Sequence, residues 1–228
     1  MSPLCGLWGG LMVSPVEEIK SLINNFGPVM EQSISWYPHT WIRAKKFREE
    51  ILELRTHCNT EGNKSSISRE QVLSFGETPE KLFVASMVFG YGDRGYGAWR
   101  VARIRGLFSR DEFTKAIKGQ FTASAQSPAD SWNSHTSSER LKFFGPAFAT
   151  KFAYFAALRQ GAEFPIPLIA DANTSKAVNK HFGISESAKV KVGYLQYVDK
   201  ACEIAAEIGS NTRPDDVERA PFEIGKKL

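Results

Sequence analysis

The chain has 228 residues, 42% hydrophobic and 24% charged, enough to bury a sizeable core as one large domain or as two small lobes sharing an interface. Twenty-nine basic against 25 acidic side chains give a formal net charge of +4 and a pI near 8.9, which admits a polyanionic partner and excludes a histone-like excess. Cys5, Cys58 and Cys202 are scattered, with no metal-ligand spacing, which argues against a structural zinc or iron–sulfur site and for a reducing, cytoplasmic setting.

The opening MSPLCGLWGGLMV is mildly apolar but has neither a basic leader nor a cleavage site, and it reads as a loose or partly docked terminus. No stretch approaches the roughly 20 apolar residues that span a bilayer, so no membrane partner is expected. Helical spacing of apolar residues predicts helices over 16–26 and 41–52. The polar, turn-rich stretch between Thr56 and Ile67 reads as a surface loop, and Ser68 with Gln71 forms a capping-box pattern opening a short helix.

Residues 80–89 are apolar on nearly every side, which predicts a buried helix that stops at the glycine-rich GYGDRGYG. Helices are predicted over 98–107, with Arg100, Arg103 and Arg105 along it, and over 110–118. Residues 122–138 read as a connection with one turn of helix, followed by helices over 150–158, 173–181 and 188–208, the last stopped by Gly209. A final helix starts near Thr212 and Pro214, with Pro221 limiting its length. There is no βαβ alternation and no repeat, and strand-like character is confined to 164–169, so the expected fold class is all-α.

Chemistry concentrates between Phe143 and Val178. FFGPAFATKF places a Gly-Pro turn before a helix carrying Lys151, and PIPLIADAN delivers Asp171 to the start of the next helix. A turn of this kind is either plain punctuation or a phosphate grip built from outward N–H groups and a helix dipole. An aspartate at such a point is either an N-cap alone or a fixed carboxylate able to face positive charge developing on a sugar. Lys151 is either a solvated first-turn lysine or a nucleophile.

The order of these features resembles the helix-hairpin-helix (HhH-GPD) DNA glycosylase superfamily, which includes endonuclease III and 8-oxoguanine DNA glycosylase; it is closest to bacterial 8-oxoguanine-glycosylase-like proteins. FFGPAFATKFAYF follows the superfamily's LPGVGxxTAxxxL pattern at Gly145 and Thr150, and FPIPLIADANTSKAV resembles its FPILDGNVKRV around Asp171. The likeness departs at three points. Ala147 replaces the second hairpin glycine, the iron–sulfur cysteines are absent, and Ala149 stands where bifunctional members carry their lysine, with Lys151 two residues on.

The resemblance implies a two-lobed helical fold with the active site between the lobes. Residues 1–78 would pack with 186–228 as one lobe, and 79–185 would form the central lobe. It implies a glycosylase that bends double-stranded DNA, flips a damaged or modified base, by default an oxidised purine such as 8-oxoguanine, and excises it. Lys151 would attack the sugar C1′ and leave a Schiff base that undergoes abasic-site lyase cleavage, with Asp171 stabilising the oxocarbenium-like charge. Gly145, Ala147, Ala149 and Thr150 would contact DNA through the hairpin, while Tyr91, Arg94 and Tyr96 are wedge candidates. Trp132, His135, Asp216, Glu218 and Phe222 are candidates for the base pocket. No metal or cofactor is implied, and a monomer is expected. The alternatives are a monofunctional glycosylase in which Asp171 activates water and a non-catalytic DNA-binding protein that keeps the hairpin alone.

Overall fold

A computed structural model describes residues 14–58, 62–209 and 211–227; the N-terminal segment with Cys5 lies outside them. The fold is all-α, with helices α1 (Pro15–Asn25), α2 (Pro38–Trp41), α3 (Arg48–His57), α4 (Arg69–Phe75), α5 (Pro79–Tyr91), α6 (Gly97–Gly106), α7 (Arg110–Gln126), α8 (Pro128–Thr136), α9 (Pro146–Arg159), α10 (Ala172–His181), α11 (Lys191–Ile208) and α12 (Pro214–Gly225). One antiparallel ribbon joins β1 (Ser33–Trp36) to β2 (Ser65–Ser68), pairing Ser33 with Ser68 and Trp36 with Ser65.

Local sequence sets most helix starts. Ser14, Thr78, Ser109, Ser127 and Asp171 each accept a first-turn N–H, satisfying donors the helix itself cannot. Ser68 and Gln71 form the expected capping box at α4. Helices α5 and α9 carry apolar residues on nearly all sides and are accordingly central, with α9 packed on α5 and α7. Phe83 of α5 sits amid the rings of Phe47, Phe113, Phe144 and Phe152, with centroids 5.3 to 6.3 Å away. Helix α12 packs on α10, α11 and α1, and Gly225 presses so closely on the Asn173 backbone that a Cβ has no room there.

Several sequence expectations are corrected. The 41–52 helix is divided into α2, a 3-10 turn and α3, because Ala44 has non-helical backbone angles (φ −73°, ψ 70°). The 122–138 connection is instead the end of α7 and all of α8, since Ser127 caps a new helix opened by Pro128. Residues 164–169 form a bend at Phe164 and Pro165 followed by an irregular, unpaired stretch, whereas the serine-rich 65–68 segment is a strand because β1 supplies a partner. Pro221 does not end α12, which continues through it to Gly225. Pro221 is itself buried, in a helix whose packing on α10 and α11 outweighs the lost backbone bond.

Candidate active site

A cavity of about 370 Å³ opens where the end of α5 meets the first turns of α9 and α10, with α12 behind. Its walls come from β1 and the start of α4, the end of α5 and the turn after it, the first turns of α9 and α10, and α12. Phe89, Tyr91, Phe148 and Phe222 supply apolar surface, and Gln32, Arg69, Lys151, Asp171 and Glu218 supply polar groups. A recess of this size with aromatic walls and several convergent polar groups suits a small planar ligand.

Lys151 lies on the second turn of α9 and is 6% exposed. Its Nζ donates to Asp171 Oδ2 at 2.9 Å, twenty residues away, and more weakly to the Ala147 carbonyl at 3.4 Å. Asp171 is the N-cap of α10. Its Oδ1 accepts from the N–H groups of Asn173 (3.0 Å) and Thr174 (3.1 Å) and from the Thr174 hydroxyl (3.3 Å). The carboxylate is therefore divided, one oxygen for the helix and the other for the ammonium. Burial by itself raises this carboxyl, but the Lys151 ammonium and the two backbone N–H bonds outweigh burial and hold it below the ordinary aspartate range.

The extended segment before Asp171 is fixed by three buried hydroxyls. Tyr194 donates to the Leu168 carbonyl, Tyr197 donates to the Ile169 carbonyl, and Thr150 Oγ1 accepts from the Ala170 N–H. Thr150 thereby ties α9 to the aspartate segment, immediately before Lys151. Gly90 faces the same lysine stem: a Cβ there would lie 2.9 Å from Lys151 Cδ and 2.9 Å from a Phe148 ring carbon. Phe148 in turn stacks on Tyr91, with centroids 4.0 Å apart and planes at 21°.

A second buried ion pair also borders the cavity. Arg69 Nη2 donates to Glu218 Oε2 at 2.7 Å, and Arg69 Nε donates to Gln32 Oε1 at 2.8 Å. The guanidinium lies 4.9 Å from the Tyr154 ring centroid, and Tyr154 donates its hydroxyl to Asp215, which is also held by Arg213. Burial pushes the Glu218 carboxyl up to about 7, the charge of Arg69 offsetting only part of that cost. Among the described residues Arg69 Nη1 has no hydrogen-bond partner.

The structure brings Lys151, Asp171, Ala147, Tyr91, Arg94, Tyr96, Glu218 and Phe222 around one cavity. The other expected residues are placed differently. Thr150 and Ala149 are buried, the former bonded to Ala170 and the latter using its N–H on the Gly145 carbonyl, so neither presents a group to a DNA surface. Tyr91 is buried against Phe148 and cannot act as a free wedge, whereas Arg94 and Tyr96 are exposed and touch each other at 3.5 Å. Trp132 and His135 lie outside this cavity, buried beside Tyr194 and Phe144 respectively. Asp216 caps α12 by accepting the Arg213 N–H. Arg105 is engaged with the Phe108 carbonyl and the Phe113 ring.

The hairpin turn differs in detail from the glycine-centred form expected. Phe143 takes the left-handed conformation (φ 65°), while Gly145 has φ −73° and caps α9 with open space where a Cβ would stand. The N–H groups of Gly145 and Ala147 have no partner among the described residues, so they are the donors a phosphate could take. Sequence reasoning missed Gly90, Gln32, Arg69 and Phe148. A glycine inside an otherwise apolar helix was the available signal for Gly90; Arg69 gave none, since a charged residue in a first helical turn reads as solvated.

Among the described residues no helix is long and apolar enough to cross a membrane, and no cluster of three His, Cys, Asp or Glu side chains suits a metal ion. Residues 27–222 match the model of a family described as "Putative 8-oxoguanine DNA glycosylase OGG-like protein". No curated protein and no solved structure matches the chain.

Proposed function

This chain belongs to the OGG-like family of 8-oxoguanine DNA glycosylase-like proteins, and from that membership we propose that it excises a damaged base from duplex DNA by lysine chemistry. The observation that carries the reading is the 2.9 Å contact between Lys151 Nζ and Asp171 Oδ2 inside an aromatic-walled cavity.

In this reading the flipped nucleotide enters with its base between the aromatic walls and its C1′ near Nζ. Lys151 sheds a proton along the Nζ–H···Oδ2 bond, and the freed lone pair forms the Nζ–C1′ bond as the glycosidic C–N bond breaks. The departing base takes the glycosidic electron pair and the proton that Asp171 Oδ2 received from Lys151, which returns Asp171 to its carboxylate form. Asp171, held rigid by three donors on Oδ1, relays that proton and, once ionised again, faces the positive charge on the sugar adduct. Ring opening gives the Schiff base, and loss of a C2′ proton with cleavage of the C3′–O bond nicks the strand. Oxidised purine is the base class we assign from the family, and the two-lobe division fits a cavity walled by residues from both proposed lobes.

Borohydride reduction of the protein with abasic duplex DNA tests the lysine step. The expected result is a covalent adduct lost in Lys151→Ala and strongly slowed in Asp171→Asn. Free-base release without any adduct or strand cleavage overturns it in favour of an Asp171-activated water.

A further inference from the structure

Beyond the cavity, helix α6 carries an exposed aromatic stripe with no apolar cover. Tyr96, Trp99 and Arg103 fall at helical spacing on one face, and the two rings are 49% and 58% exposed. Phe143, on the hairpin, is 45% exposed and is the one non-glycine residue with a left-handed backbone among the described residues. The Arg103 guanidinium bridges them, 3.8 Å from the Phe143 ring centroid and 5.4 Å from Trp99.

The stripe begins and ends at places already tied to DNA. Tyr96 borders the cavity and packs edge-on against Tyr91, while Phe143 precedes the Gly145 and Ala147 donors, with Lys142 exposed beside it. A core-directed ring would not be held outward at the cost of a left-handed backbone. Flat π surfaces sharing a guanidinium suit unstacked bases and the phosphates between them.

We propose that Tyr96, Trp99, Arg103 and Phe143 form a stacking platform for the nucleotides that flank the flipped one, linking the cavity mouth to the hairpin. The proposal rests on the DNA glycosylase reading and adds a second nucleic-acid site to it. The three rings carry stacking, which salt does not screen, and Arg103 carries the phosphate contact, which salt does.

The test measures fluorescence anisotropy of a labelled duplex containing a tetrahydrofuran abasic analogue, over a salt series, alongside excision. Trp99→Ala and Phe143→Asn should each weaken binding about tenfold with an unchanged salt slope; asparagine tolerates the left-handed turn, so the hairpin stays folded. Trp99→Phe should bind like the unaltered protein, and Arg103→Gln should reduce the salt slope by about one. If the protein binds and excises while these variants bind equally well, the platform falls and the glycosylase reading stands. Failure of the unaltered protein to bind any duplex overturns both. Loss of a dimer in Trp99→Ala, by sedimentation, with DNA affinity unchanged assigns the face to a second copy and also overturns the platform.

Discussion

The Lys151 side chain passes across Gly90 with no space for a methyl group, a Cβ at Gly90 falling 2.9 Å from Lys151 Cδ. Gly90→Ala should therefore displace the lysine or Phe148. The expected result is loss of borohydride trapping, with a stability cost of only about 1–3 kcal/mol by urea denaturation. Full retention of trapping would show that the lysine stem has slack.

Lys151 and Asp171 should respond unequally to neutralisation. Asparagine preserves the α10 cap but leaves an ammonium only 7% exposed without its counter-charge, whereas Lys151→Met leaves a carboxylate still held by three donors. Asp171→Asn should cost on the order of 3 kcal/mol at neutral pH and Lys151→Met about 1 kcal/mol. Thermal unfolding of the two variants measures the difference, and equal costs would contradict the division of the carboxylate.

The two cavity carboxyls should shape stability in opposite pH ranges. The Asp171 carboxyl is held low in the fold, so its contribution is present above its unfolded value near 3.8 and lost as pH falls through the lower folded value. The Glu218 carboxyl is raised to about 7, so its contribution is full below 4.5 and lost as pH rises through about 7. Tm profiles should show Asp171→Asn flattening the acid decline and Glu218→Gln flattening the decline from about pH 5 to 8.

Arg69→Met removes the partner of a carboxylate that is 1% exposed. We expect a loss on the order of 3 kcal/mol, reduced at acid pH where Glu218 takes up a proton. Chemical denaturation at two pH values resolves this, and a pH-independent loss would mean the pair contributes through packing alone.

At Gly145 fold and DNA contact should separate. Its φ of −73° and the open space beside it mean Gly145→Ala should stabilise the fold by about 0.4–1 kcal/mol. The same methyl group fills open space at the hairpin and, if DNA docks there, should weaken duplex binding several-fold. Unchanged binding would remove the hairpin from the DNA contact.

Much of the all-α fold was legible because its long helices announce themselves by caps and apolar periodicity, as at Ser68 and Gln71 or in the all-apolar α5. The neighbourhood of Lys151 and Asp171 was legible for a different reason: one short segment carries both, and the structure brings Lys151 Nζ within 2.9 Å of Asp171 Oδ2. Arg69 and Glu218 stand 149 residues apart, and nothing local distinguishes a charged residue that will be buried from one that will be solvated. Strand β2 was illegible because Ser65–Ser68 has little strand character of its own and becomes a strand only by pairing with β1. Pro221 misled because its local rule is strong, and only the packing of α12 on α10 and α11 overrides it.

Because Asp171 Oδ1 holds the Asn173 and Thr174 amides while Oδ2 holds Lys151, fraying of the first turn of α10 frees the carboxylate that positions the Lys151 ammonium. Under the proposed lysine chemistry, hydrogen exchange at those two amides becomes a clock for it, reporting without DNA or substrate what fraction of the molecules holds the paired geometry.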